Sequence, residues 1–264
     1  MTTRRHFLGG LSAAPLIGTT ACRSALSGAS SAWQVGCYTR PWGAHDYRVA
    51  LDAIAEAGYA YAGLMTAKGK NNLVVSIDTT PDEAAAIAHE VAQRRLKTVS
   101  LWAGAFPLDK PDGLRRLIDN CAACGSPSLL LGGADEKNDA AYYAIVAACC
   151  DYAAERKITL AIKPHGGTNP DGAACRRQVE RIGHPAFRVW YDAANVFYYS
   201  EGALNPIDDA PAVNGLVTGM SVKDYLHPKN VAITPGTGAV DFPKVMAILK
   251  RGGFTGGPMV VECL

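Results

Sequence analysis

After residue 32 the chain has no apolar run approaching the ~20 residues needed to cross a bilayer as a helix. No Gly-x-Gly-x-x-Gly turn opens a helix, which removes the usual phosphate-binding start of a dinucleotide fold. Linkers and low-complexity tracts are also missing after Ala32, so the composition shows no second domain. An excess of one charge is lacking too. The formal charge is +2, and setting aside Arg4, Arg5 and Arg23 of the leading segment makes it −1. A near-neutral domain leaves no electrostatic footprint for nucleic acid or an anionic membrane. Eight cysteines are present, but Cys121-Ala-Ala-Cys124 has neither a second Cys-x-x-Cys nor a flanking His pair, as a zinc or redox site would require. These two are read as small, buried helix residues.

What is there begins with a leader. Thr3-Arg4-Arg5-His6-Phe7-Leu8 resembles a twin-arginine export consensus, followed by a modestly apolar run to Gly18. Ser30-Ser31-Ala32 supplies small residues for cleavage before Trp33. Residues 1–32 are therefore expected to be a twin-arginine-type signal peptide, and the mature protein periplasmic, where disulfides are permitted. Thr19-Thr20-Ala21-Cys22 has the outline of a lipobox, so Cys22 is a candidate lipid anchor.

Residues 33–264 alternate short apolar runs with helical patterns. Strands are expected at 33–38, 61–65, 98–102, 128–131, 159–163, 188–192, 215–223 and 258–262. Helices are expected at 47–57, 81–95, 112–124, 140–156, 173–182 and 242–251. Thr80-Pro81 and Asp241 supply helix starts, and Gly58, Gly125, Gly183 and Gly252 supply stops. Pro206–Asn214 reads as a surface loop that carries a short helix at most. Strand–helix alternation with short links implies a parallel sheet, and eight strands imply an α/β fold closed as a (β/α)8 TIM barrel. The last expected strand is followed by Leu264, so the final helix is expected to be missing; an uncovered flank would favour homo-oligomer formation.

The chemistry-bearing residues gather at strand ends, where parallel barrels build their sites. Ile158-Thr-Leu-Ala-Ile-Lys163-Pro-His165 is the most informative run. Residues two apart on a strand share a face, so Lys163 and His165 point the same way. A charge closing an apolar run is costly without partners. The other strand ends contribute Arg40, Trp102, Asp192 with Asn195, Ser221 with Lys223 and Asp224, and Glu262. Trp42, Trp190, Tyr191, Tyr198 and Tyr199 are candidates to stack on a ligand or simply to pack. Thr234-Pro-Gly-Thr-Gly238 reads as a glycine turn leading to the cap at Asp241, with a phosphate cradle as the alternative.

The element order, Asp192-x-x-Asn195, Val222-Lys223-Asp224, the turn ending in Asp241-Phe242 and the final Val-Val-Glu262 resemble the xylose isomerase-like TIM barrel superfamily, whose sugar phosphate isomerase/epimerase members are its nearest theme. That resemblance implies a divalent metal (Mn, Mg or Zn) held by a Glu after strand five, an Asp after strand six, a His on strand seven and a Glu on strand eight. Asp192 and Glu262 match two of these positions. Lys163 and Ser221 stand at the other two, so a metal is expected to be weak or absent. An ammonium beside two carboxylates supplies the charge a metal would have supplied. Lys163 is thus expected to bridge Asp192 and Glu262, with Schiff-base formation as the alternative use of a desolvated lysine.

The resemblance implies proton transfer next to a carbonyl on a sugar, keto-sugar or polyol. Glu262 is the expected base, Lys163 the electrophile or acid, and Asp192 its orienter. His165, Asn195, Lys223, Asp224, Arg40 and Trp102 are expected to bind a small carbohydrate. A keto-glycoside lyase or hydratase would share the first step, and a non-catalytic sugar-binding barrel is the alternative outside catalysis. The superfamily's nucleic-acid repair enzymes need a His-rich multi-zinc site, and only His165 lies at a strand end, so no nucleic-acid partner is expected.

Overall fold

The computed structural model describes residues 33–263 apart from Lys110. Eight parallel strands close into a barrel in chain order. They are β1 Trp33–Tyr38, β2 Tyr61–Leu64, β3 Lys97–Trp102, β4 Ser128–Leu131, β5 Thr159–Ile162, β6 Phe187–Asp192, β7 Val217–Val222 and β8 Gly257–Val261. The seam is a full pairing of β1 with β8, from Trp33 opposite Gly257 to Cys37 opposite Val261. Every expected strand is present to within two residues at each end.

The longer crossover helices are α1 Tyr47–Glu56, α2 Pro81–Gln93, α3 Asp112–Ala123, α4 Asp139–Glu155 and α5 Gly172–Ile182, with α8 Phe242–Arg251 before the last strand. Their starts follow from capping chemistry. Thr80 and Glu83 form a reciprocal capping box ahead of Pro81. Asp46, Asp171 and Asp241 each accept a backbone N–H of the first turn. Two short helices, α6 Ala193–Tyr199 and α7 Pro206–Asp209, form the crossover between β6 and β7. Residues 206–214, expected as a surface loop, instead pack inward. Pro206, Asp209, Ala210 and Val213 are buried, and Asp209 accepts from the Gly172 amide and the Tyr191 hydroxyl. Among the described residues no helix follows β8, and Val35 on the β1 side of that seam is 48% exposed. The expected leader and the candidate anchor at Cys22 lie outside the described residues.

Two cores result. The larger lies between sheet and helices. The smaller fills the barrel itself with Tyr38, Met65, Val99, Leu130, Ala161, Trp190 and Val260. Two aromatic rings fit there only because their neighbours are glycines: a Cβ on Gly63 would overlap the Tyr38 ring, and one on Gly219 the Trp190 ring. Gly219→Ala is therefore expected to cost about 1–3 kcal/mol by overpacking, measured by urea unfolding; an unchanged midpoint would mean that Trp190 repacks freely. These rings floor the site above, because Ala161, Trp190, Gly219 and Val260 precede Lys163, Asp192, Ser221 and Glu262 by two residues on the inward face.

Cys121 and Cys124 sit buried at the end of α3, as expected, with the Cys124 thiol pushed up to about 12 by burial. All seven cysteines among the described residues are free thiols. No helix there is long and apolar enough to cross a membrane.

Candidate active site

Four strand ends bring their inward residues into one buried charge cluster. Lys163 Nζ donates to Asp192 Oδ2 at 3.2 Å and to Glu262 Oε2 at 3.0 Å. The bridge inferred from the sequence is thus the observed geometry. Lys223, expected to meet substrate hydroxyls, reaches the same two carboxylates, at 3.1 Å from Asp192 Oδ2 and 3.0 Å from Glu262 Oε1. Arg40 closes the cluster from the β1 end, 2.7 Å from Glu262 Oε1. Ser221 Oγ donates to Glu262 Oε2 at 2.9 Å and accepts the Trp190 indole N–H at 3.2 Å. Lys163, Asp192 and Glu262 are at most 2% exposed. Charges so buried persist only because each has close counter-ions.

Three cations face two carboxylates, so the cluster is positive overall. Burial alone would raise the Glu262 carboxyl, but Lys163, Lys223 and Arg40 outweigh it and hold Glu262 well below the usual carboxylate range. Burial also disfavours the charged form of Lys223, and Asp192 and Glu262 more than restore it, holding the group above the ordinary lysine value. The two oxygens of Glu262 together accept from four side chains. Its expected role as proton acceptor therefore fits poorly, since an oxygen already stabilised by cations has little affinity for another proton. Asp192 is similarly engaged: Oδ1 accepts the Asn195 amide at 3.0 Å and caps α6.

His165 differs. Its backbone N–H pairs with the Asn169 carbonyl, while its ring nitrogens have no hydrogen-bond partner among the described residues. Burial, reinforced by Lys163 and Lys223, pushes its pKa down to about 4, so the imidazole is neutral at pH 7. The ring stands between Trp102 (centroids 5.2 Å apart) and Tyr199 (5.7 Å). It borders a cavity of about 590 Å³ that also exposes Arg40, Trp102, Lys163 and Glu262. A second hollow of about 330 Å³ adjoins it, where Asn195, Tyr199 and Lys223 meet Lys229 and Asn230.

The other expected site residues separate clearly. Asn195 lines the second hollow, but its side-chain amide donates to the Pro164 carbonyl at 2.6 Å. Asp224, expected at the substrate, is fully buried and turned away. Its carboxylate accepts the amides of Tyr225, Gly236, Gly238 and Val240, at 2.8–3.0 Å. It anchors the 235–240 turn, which also uses up the amides a phosphate would need. Trp190 and Tyr191 are buried in packing, while Tyr198 and Tyr199 reach a cavity wall. Sequence reasoning missed Lys229 and Asn230, which lie in an exposed loop with no periodic signal.

The donor set does not suit a divalent ion. Among the described residues no three His, Cys, Asp or Glu side chains come together to hold one. The space between the two remaining carboxylates is taken by ammonium groups.

The profile of the xylose isomerase-like TIM barrel family matches residues 51–264. The chain belongs to that family. No curated protein matches this xylose isomerase-like chain by sequence. Solved structures share its fold at low identity. D-Allulose 3-epimerase from Methylomonas sp., in complex with D-allulose, superposes with a TM-score of 0.67 at 19% identity, over 89% of this chain and 86% of that one. A xylose isomerase domain protein from Planctomyces limnophilus gives 0.68 at 16% identity, over 88% and 91%. A 3-keto-D-glucoside 4-epimerase from E. coli gives 0.64 at 12% identity, over 88% and 92%.

Proposed function

We propose that this xylose isomerase-like barrel transfers a proton next to a carbonyl on a keto-sugar or keto-glycoside, without a metal. The observation that carries the reading is the convergence of Arg40, Lys163 and Lys223 around Glu262 beside a cavity that also holds an unpaired, neutral His165. Removing a proton beside a carbonyl puts negative charge on the carbonyl oxygen. Fixed cations in a dry site stabilise that charge without reorganising. Asp192 and Glu262 hold both lysine side chains in place within 3.2 Å, which argues against Schiff-base chemistry.

His165 is the accessible base. It takes the proton on carbon and becomes an imidazolium, while the carbonyl becomes an enediolate held by the cations. Return of that proton to the former carbonyl carbon, with the neighbouring hydroxyl proton passing to the former carbonyl oxygen, isomerises the sugar. Epimerisation needs a donor on the opposite face, and Lys223, whose ammonium also borders the second hollow, is the group placed for it. The structural neighbours named for D-allulose and a 3-keto-D-glucoside support this class of substrate. Loss of a leaving group from the same enediolate would make the enzyme a lyase.

The test is solvent exchange. Enzyme freed of metal by chelation is incubated in D₂O with a panel of ketohexoses and 3-keto-glucosides, and deuterium at the carbon beside the carbonyl is followed by NMR. Incorporation with under about a tenth of an equivalent of bound metal is the expected result. Exchange that appears only when Mn²⁺, Mg²⁺ or Zn²⁺ is restored would overturn the metal-free part. Tight binding with no exchange on any member would leave a sugar-binding barrel instead.

A further inference from the structure

We infer that the trough beside the charge cluster is a subsite for a second ring of the substrate, so that the natural ligand is a glycoside rather than a free monosaccharide. This rests on the carbohydrate reading above. The trough has a volume of about 430 Å³ and lies between the loops that follow β3, β4 and β5. Trp102 and His165 form the wall it shares with the reaction cavity, so the two spaces meet across those side chains.

Its construction suits a flat ring. The far wall is Phe106, stacked on Tyr142 with ring centroids 5.0 Å apart and planes 28° apart. The Tyr142 hydroxyl accepts the Gly133 amide at 3.1 Å, which fixes that pair to the floor. The floor is backbone. A Cβ on Gly132 would come within 2.8 Å of the Trp102 ring, and one on Gly167 would overlap the Ala134 carbonyl. The two loops therefore pack closely only as glycines, and they leave a surface without side chains.

Charge separates the two spaces as well. Arginine and lysine line the reaction cavity, whereas none lines the trough among the described residues. Its polar groups, Asp135 and Asn138, sit with Leu108 toward the opening. Phe106 and Tyr142 are themselves buried and back the trough, while the half-buried Trp102 ring offers a face to the C–H side of a pyranose or to an aryl ring, and a few polar groups at the edge receive hydroxyls. A monosaccharide at the cluster would leave the trough itself unfilled.

The decisive measurement is calorimetric binding of methyl, phenyl and glucosyl glucosides in both anomeric series. In one series the phenyl or glucosyl compound is expected to bind at least about tenfold tighter than the methyl compound. Ala105→Trp places a bulky side chain at the exposed edge of the trough, and that ratio is expected to collapse toward one. Equal affinities for all three compounds in both series would overturn the subsite and leave the carbohydrate reading standing. Binding of none of them would also overturn the subsite, while the carbohydrate reading is decided separately by deuterium exchange on the keto-sugars.

Discussion

Replacing Lys163 by methionine is expected to cost about 1–3 kcal/mol of stability at pH 7, because two buried carboxylate oxygens each lose a charged donor while Lys223 and Arg40 remain. Methionine keeps much of the volume and removes the charge. Asp192 and Glu262 would retain Lys223 and Arg40, but Oδ2 and Oε2 would each lose a contact of 3.2 and 3.0 Å. The effect depends on pH in a defined direction. Glu262 is held well below the usual carboxylate range in the folded state. Its stabilisation is therefore present above its unfolded pKa of about 4.3 and is lost as pH falls through the lower folded value. Wild-type stability should decline in that acid range. The variant should decline less, since part of the pairing is already gone. Urea unfolding at pH 7 and pH 4 reads both. A loss below about 1 kcal/mol at pH 7 would mean that Lys223, Arg40 and Ser221 satisfy the carboxylates alone, and Lys163 would lose its status as keystone of the cluster.

His165→Asn is the second large effect. If His165 moves the proton on carbon, kcat should fall by about 10²–10⁴ while KM changes only a few-fold. With the imidazole pKa near 4, the acid limb of the wild-type rate profile should lie near that value rather than at the ordinary histidine pKa. Stability gives an independent readout. The unfolded state binds its histidine proton near pH 6.5 and the folded state only near 4. Burial of this neutral ring thus costs increasing stability as pH falls from 6.5 toward 4, and the cost is absent above that window. The variant should gain on wild type across the same window. Glu262→Gln is the control for the competing assignment. A rate collapse there with full activity in His165→Asn would return the base role to Glu262.

Much of the fold was legible because it is written locally. Strand runs, caps such as Thr80 with Glu83, and stops such as Gly183 depend on neighbours a few residues away. The segment 206–214 has its expected short helix but packs inward, because part of its polar look reflects partners distant in sequence. Asp209 answers an amide at Gly172 and a hydroxyl at Tyr191, neither of them near it along the chain.

The site divides the same way. By itself the sequence determined that Lys163 and His165 share a face at the end of one strand, since side chains alternate with a period of two, and that Asp192 and Glu262 close two further strands. It also placed a lysine at the end of β5, where the family resemblance implied a carboxylate. Only the tertiary structure decided the rest. Closure of β1 on β8 brings Arg40 to Glu262 across 222 positions of chain. The end of β7 sends Lys223 into the cluster and its neighbour Asp224 out to a turn. His165 is left unpaired while Glu262 is saturated. Those outcomes depend on how eight strand ends converge around the barrel axis, and the electrostatics of a buried group follow from which partners that convergence delivers.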